Sequence, residues 1–317
     1  MRTLYITKND AGQRLDKFLT KAVKALPKSL LYKFIRTKKI KVNRKRADIG
    51  YMLAVGDSVE LFISDEFFAE DAADTAFTHL TPHLDIVYED ENILLVDKQP
   101  GIIVHSDDDE EINTLISHIK AYLYRKGEYD PASEQSFAPS LCNRIDRNTG
   151  GIVIAAKNAA ALRAMNEKIR ADELSKYYLC AVHGHMERSS DTLTGYLKKD
   201  SDNNIVAVVR EARPGYKKII TKYRVVAERN GLSLLEVELV TGRTHQIRAH
   251  LPSIGHPLLG DGKYGVNRDD KKRGYKFQAL YAFRLEFRFT SDAGVLSYLN
   301  GRRFEVDRNK IWFLGEF

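Results

Sequence analysis

Three short stretches of this chain place charged side chains among apolar neighbours. The first is NRIDRNTGG, residues 143–151, where Asp146 stands between Arg144 and Arg147 and the run IVIAA follows. Such a run reads as a buried strand, so the carboxylate sits at a strand mouth between two guanidinium groups. The second is SKYYLCAV, residues 175–182, a strand pattern that carries Lys176 and Tyr178. The third is TGRTHQIRAHL, residues 241–251, with Arg243 and Arg248. A held carboxylate can act as nucleophile or base, and arginine can orient it through two parallel hydrogen bonds or grip a phosphate. Tyrosine can stack on a ring or carry a proton. Each stretch alone also has a plainer reading. Asp before Thr-Gly commonly caps a turn, a strand tyrosine packs in a core, and a helix arginine faces solvent.

Other motifs do not hold up. GDGKYG, residues 260–265, matches GxGxxG, but no strand pattern precedes it and no helix pattern follows, so it is not read as a dinucleotide site. DRNTGG begins like a calcium loop, but the twelfth position from Asp146 is Lys157, not glutamate. His245 and His250 are five apart and share a helix face poorly, and adding His183 or His185 does not build a convincing metal set. Neither GxSxG nor a P-loop is present. No metal is expected.

The charge is unevenly spread. The chain has 317 residues, 43% hydrophobic and 29% charged, with a net charge of +7. Residues 13–63 hold thirteen Lys or Arg against four acids, so the rest is close to neutral. This predicts a small basic module on a larger body, with a polyanion as partner. Leu15, Phe18, Leu19, Ala22 and Val23 have the spacing of an amphipathic helix that Pro27 ends, and Ser29 is placed to cap a second, LLYKFIRTKKI. KIKVN and VELFI follow as short strands. Lys17, Lys21, Lys39, Lys41 and Arg44 lie along these elements as candidate phosphate contacts.

Residues 1–64 are thus read as one domain, the acidic, pattern-poor stretch 65–82 as a linker, and 83–317 as the body. The body opens with three apolar runs in LDIVYEDENILLVDKQPGIIVH, read as strands. DDDEEINTLISHIKAYLYRKG reads as a helix with acids at its N-terminal end, and NAAALRAMNEKIRADE as another. KKIITKYRVVAERNGLSLLEVELV is a hairpin turning at Asn230-Gly231. A short helix capped by Thr244 and a strand in QALYAFRLEFRF complete the pattern. Strands outnumber helices and hairpins outnumber crossovers, which predicts an α+β protein with a mixed, mainly antiparallel sheet. No run of about 18 apolar residues occurs, and the N-terminus lacks the apolar core of a signal peptide. With only Cys142 and Cys180 a disulfide framework is not expected. A cytoplasmic monomer is the simplest expectation.

RLDKFL, KIKVN and VGDSVEL resemble the S4 domain, a small RNA-binding module. NRIDRNTGGIVIAAK, KYYLCAVHG, TGRTHQIRAHL, VDKQPGIIVH, LLGDGKYG and QALYAFRLEF resemble the RluA-type pseudouridine synthases, whose order of S4 domain, linker and catalytic domain this chain shares. The resemblance implies isomerisation of uridine in RNA without a cofactor. It implies Asp146 as the catalytic carboxylate, Arg248 as its bidentate partner, Arg144 as the residue that fills the gap left by the flipped base, and Tyr178 against the uracil. Arg147, Lys176 and Arg243 are further RNA contacts, Lys176 pairing with a phosphate or with Asp146. Where the family has Thr-Ser-Gly after the aspartate, this chain has Thr149-Gly150-Gly151, without that hydroxyl and with an easier turn. Ribosomal RNA is the expected substrate. A transfer-RNA enzyme and a non-catalytic RNA-binding or ribosome-assembly factor are the alternatives.

Overall fold

The run ILLVDK has no polar face, and neither does GGIVIAA. Strands of that kind need both faces covered. In the computed structural model, which describes residues 1–68, 75–104, 113–200, 202–265 and 268–317, they are β5 (Ile93–Lys98) and β7 (Gly150–Ala156), buried along their whole lengths. Their side chains alternate between two cores. Ile93, Leu95, Ile152 and Ile154 join one, while Leu94, Val96, Val153 and Ala155 join the other.

Among the described residues these strands belong to an eleven-stranded sheet. Its remaining members are β4 (Ile86–Glu89), β6 (Ser140–Leu141), β8 (Leu174–His183), β9 (Ser190–Asp200), β10 (Ile205–Val209), β11 (Lys217–Arg229), β12 (Leu232–Leu239), β13 (Leu280–Phe287) and β14 (Arg303–Glu305). The order is β10-β9-β11-β12-β8-β13-β7-β5-β4, with β14 beside β13 and β6 beside β7. Among the described residues only the pair β13 and β7 runs parallel, so the sheet is mixed and mainly antiparallel, as expected. The β11–β12 hairpin turns on Asn230 (φ 53°) and Gly231 (φ 74°), the left-handed pair such a turn requires.

One core is covered by α4 (Ala159–Arg170), through Ala161 and Met165, and by the C-terminal residues Ile311 and Phe313. The other is covered by α3 (Leu115–Arg125), through Ile119 and Leu123, and by α5 (Gln246–His250), through Ile247. Tyr178 and Ile145 also belong to this second core.

The basic segment forms a separate three-stranded sheet of β1 (Arg2–Tyr5), β3 (Ser58–Leu61) and β2 (Ile40–Val42). The apolar stripes of α1 (Leu15–Ala22) and α2 (Lys28–Arg36) build its core with Leu15, Phe18, Leu19, Leu31 and Ile35. This sheet is joined to the larger one by buried polar contacts. Asp10, 0% exposed, accepts from the Ser136 hydroxyl at 2.6 Å and from the Gln135 amide at 3.1 Å. Asn9 donates to Glu134 and accepts from the backbone amide of Ala159.

Several expectations are corrected. Pro27, not Ser29, stands before α2, because its fixed φ suits a helix start and its missing N–H is no loss there. The third apolar run, after Gly101, is a loop whose carbonyls at Ile103 and Val104 accept from the start of α3. Thr114 caps α3, and the acids 107–111 lie outside the described residues. Thr244 does not cap α5; His245 occupies that position in left-handed conformation (φ 53°). Short 3-10 turns interrupt the expected linker at Asp65–Phe68 and Ala76–His79. β1, β6, β9, β10 and β14 were not expected from the sequence; β10 lies at the sheet edge with β9 beside it, where solvated faces blur the apolar alternation.

Candidate active site

The loop that carries Asp146 is held from several sides. Asn143 accepts from the Ile154 amide at 2.7 Å, tying the loop to β7. The Asp146 carbonyl accepts from the Thr149 amide at 3.0 Å, closing a turn. Lys98, 1% exposed, donates to the carbonyls of Arg147 (2.8 Å), Ile102 (3.0 Å) and Gln99 (3.1 Å). Burial pushes its ammonium down to about 7, with Asp146 and then Asp97 opposing the fall. Three carbonyl acceptors take all three protons of the charged form and so work against the effect of burial.

The Thr-Gly-Gly segment does not work as expected. Gly150 and Gly151 open β7 and are not the turn, which lies at Arg147-Asn148. Gly151 has φ 117°, and a side chain there would strike the backbone of Ala282. A side chain on Gly150 would occupy the place of the Tyr281 ring, whose hydroxyl donates to Asp97 at 2.7 Å. Glycine at 150 is therefore a packing requirement.

Arg248 comes to Asp146 from α5. Gln246 anchors that helix by donating to the Ile220 carbonyl and the Thr221 hydroxyl of β11, while its own carbonyl accepts from Thr241 and from the Arg243 amide. Arg248 then donates through Nη1 to Asp146 Oδ2 at 2.7 Å. The expected bidentate pair exists, but with another acid. Arg248 Nε and Nη2 donate to Asp261 Oδ2 and Oδ1 at 2.8 and 3.1 Å. Asp261, 1% exposed, also accepts from the amides of Lys263 and Tyr264. Arg248 holds this carboxyl below the usual range against the opposing effect of burial, which is the largest influence on it. The Asp146 side chain is 27% exposed.

Tyr178 is buried on the same face, and burial, then the charge of Asp146, raises its phenol well above the ordinary value. Lys176 lies against the 241–243 turn near Gly242, makes no salt bridge among the described residues, and is lowered by burial; it does not pair with Asp146. Arg144 and Arg243 are exposed, while the exposed Arg147 donates to the Gly101 carbonyl at 3.2 Å. On the smaller sheet, Lys17, Lys21, Lys39 and Arg44 are exposed. Lys39 stands over Phe34, and the half-buried Lys41 over Phe62, each at 5.2 Å.

Three residues at the site were not singled out from the sequence, Lys98, Asp261 and Tyr264, and a fourth, His245, was weighed only as a metal ligand. His245 Nε2 is 3.7 Å from Asp146 Oδ1, and Nδ1 is 2.7 Å from the Tyr264 hydroxyl. Asp261 and Tyr264 both sit in the GDGKYG stretch, which was judged only against a dinucleotide site. Their signal was an Asp followed two and three residues on by backbone amides it can accept from. Among the described residues, no group of three or more His, Cys, Asp or Glu is placed to hold a metal, and no helix is long and apolar enough to cross a membrane.

The arrangement is a carboxylate held by one guanidinium and left partly open, at the mouth of a mixed sheet, on a chain with a separate basic module. Residues 92–253 match the family model described as RNA pseudouridylate synthase, and residues 13–59 match the S4 domain. The chain belongs to the RNA pseudouridylate synthase family, and its reaction is the isomerisation of uridine in RNA. It is 35% identical over 318 residues to an uncharacterized RNA pseudouridine synthase of Mycoplasma capricolum, covering 98% of this chain and 99% of that one. It is 31% identical to ribosomal large subunit pseudouridine synthase C of Escherichia coli, covering 92% and 89%. Human RNA pseudouridylate synthase domain containing 4 shares the fold, with a TM-score of 0.55 at 20% identity over 74% of this chain and 92% of that one.

Proposed function

We propose that this chain isomerises uridines of large-subunit ribosomal RNA and that Asp146 is the carboxylate that works on the nucleotide. One observation carries the second part. Arg248 occupies Oδ2 of Asp146 and is itself latched to the buried Asp261, which leaves Oδ1 for the substrate. A carboxylate held this way keeps its orientation without reorganising during the reaction.

In the reaction the N1–C1′ bond breaks, the uracil turns, and C5 bonds to C1′. C5 gives up its hydrogen as a proton and N1 gains one, so product and substrate are isomers and no redox partner is needed. The target base must first leave its stack, at a cost of a few kcal/mol. Arg144, flat and exposed, is suited to fill the vacated place. Tyr178 is suited to stacking on the uracil. Its raised phenol argues against a role as the base that takes the C5 proton.

The division into an RNA-gripping module (1–64), a connection (65–82) and a catalytic body (83–317) accords with the two separate sheets and with the two family matches. Lys17, Lys21, Lys39, Lys41 and Arg44 are the proposed phosphate contacts of the module, and Arg147, Lys176 and Arg243 those around the site. The names of the relatives in Escherichia coli and Vibrio cholerae support ribosomal RNA as the substrate. A cytoplasmic monomer fits this reading, since one chain carries every residue the scheme uses.

The test is tritium release from RNA labelled at uridine C5, with wild type beside Asp146→Asn. Release by wild type from large-subunit RNA, with loss in the variant while RNA binding persists, supports the reading. Variant activity within tenfold of wild type refutes the role of Asp146. Release from transfer RNA alone refutes the substrate, and no release from either points to a binding or assembly factor.

A further inference from the structure

His245 contributes nothing to the scheme above, yet its backbone is held in a conformation that non-glycine residues rarely adopt. Its ring lies edge-on to Tyr264, with centroids 5.5 Å apart. Tyr264 also lies against the Arg248 guanidinium, at 5.4 Å from ring centre to carbon. The strain is thus maintained by a packed set of residues, all of them around Asp146.

The hydrogen bonds suit one placement of the ring proton. The Tyr264 oxygen accepts from the backbone amide of Val206 on β10 at 3.0 Å. In that placement the hydroxyl donates its own proton to His245 Nδ1, 2.7 Å away. A nitrogen that accepts carries no proton, so in the neutral imidazole the N–H is on Nε2. Burial favours the neutral ring, holding it below the ordinary histidine range. Arg248 and Lys263 add to that effect, and Asp146 and Asp261 oppose it.

We propose that His245 is a positioning residue for Asp146: its Nε2–H, set by Tyr264, faces the Oδ1 that Arg248 leaves free. This rests on the catalytic role given to Asp146 above. At 3.7 Å the contact is longer than a hydrogen bond. It becomes one when Oδ1 moves toward Nε2 by less than an ångström. Arg248 fixes one oxygen with a full charge, and His245 limits the swing of the other with a neutral donor. The neutral donor leaves Oδ1 more electron-rich than a second cation would.

Two measurements test this. In histidine-selective 15N spectra of the wild-type protein at pH 7.5, His245 shows the neutral Nε2–H tautomer. The Nδ1–H tautomer or an imidazolium overturns the proposal. The second compares His245→Gln with His245→Asn by single-turnover tritium release. Glutamine places an N–H where Nε2 stood, whereas asparagine places one where Nδ1 stood and suits the left-handed backbone better. The proposal expects the single-turnover rate constant to fall about tenfold in H245N, with RNA affinity unchanged, and H245Q to retain more activity. A purely structural role for His245 predicts the reverse order, and that order overturns the proposal. Asp146→Asn run alongside separates the two readings. An active D146N removes the premise, while an inactive D146N with the wrong His245 tautomer removes only this inference.

Discussion

Asp261 is expected to matter more to the stability of the site than the aspartate that faces the substrate. Consider Asp261→Asn, which changes no volume. Asp261 accepts four hydrogen bonds: Arg248 Nε on Oδ2, and Arg248 Nη2 with the amides of Lys263 and Tyr264 on Oδ1. An asparagine can keep its oxygen at the Oδ1 position and save three of them. Its NH2 then faces Arg248 Nε, donor against donor, at a distance now 2.8 Å. One lost charge-assisted bond costs about 1.5–3 kcal/mol, and a fully broken buried pair about 3–5 kcal/mol. The variant falls between these, near ~3 kcal/mol, read from the denaturant midpoint at unchanged slope. Chemistry should suffer as well. Arg248 loses the latch that aims it at Asp146, and a misplacement of about 1 Å can cost about 100-fold in rate. The expected result is a fall of at least tenfold in single-turnover tritium release, with RNA affinity within twofold. Stability within ~1 kcal/mol of wild type, together with a rate within threefold, would refute the claim that Asp261 holds Arg248 in place.

Lys98 gives a pH signature. Its folded value of about 7 lies below the ordinary value of about 10.4, so between them the unfolded chain holds more protons and stability rises with pH, by up to about 1.4 kcal/mol per unit. Lys98→Met should flatten that rise between about pH 7 and 10; an unchanged slope in urea unfolding contradicts it. Tyr178→Phe should keep tritium release within threefold of wild type, because burial and Asp146 hold the phenol protonated, and a hundredfold loss would make the hydroxyl a proton carrier after all. Changing Lys17, Lys39 and Arg44 together to Gln should lower the slope of log affinity against log salt by about 2–3 in filter binding to ribosomal RNA, and an unaltered slope moves the phosphate contacts elsewhere. Asp10→Ala should speed hydrogen exchange at the amides of residues 133–136, where the two sheets meet; unchanged protection would mean other contacts join them.

What could be read from the sequence followed how local its causes were. The β11–β12 hairpin was legible because Asn230-Gly231 sets the turn between two apolar runs. The helices of the basic module were legible from their apolar stripes. Asp146 and Arg248 are 102 positions apart, and no spacing rule joins them; the resemblance did so. The resemblance supplied the right pair but not the bidentate partner, because Asp261 lies in a glycine-containing turn judged only as a nucleotide motif. The places of His245, weighed only as a metal ligand, and of Lys98 were not legible for a different reason. One depends on a backbone conformation imposed by tertiary packing, and the other on the Arg147 carbonyl, 49 positions from the lysine. The edge strand β10 and its neighbour β9 carry mixed faces, and there the period-2 pattern fails.

The grip of Lys98 has a consequence for recombining this chain with its relatives. Its ammonium bonds the turn at 99–102 and the Arg147 carbonyl at once. A crossover placed anywhere between residues 103 and 143 takes the lysine and its turn from one parent and the aspartate loop from the other. Such chimeras inherit both halves of the clasp without their matched fit, so breakpoints before residue 98 or after residue 151 are the ones to choose.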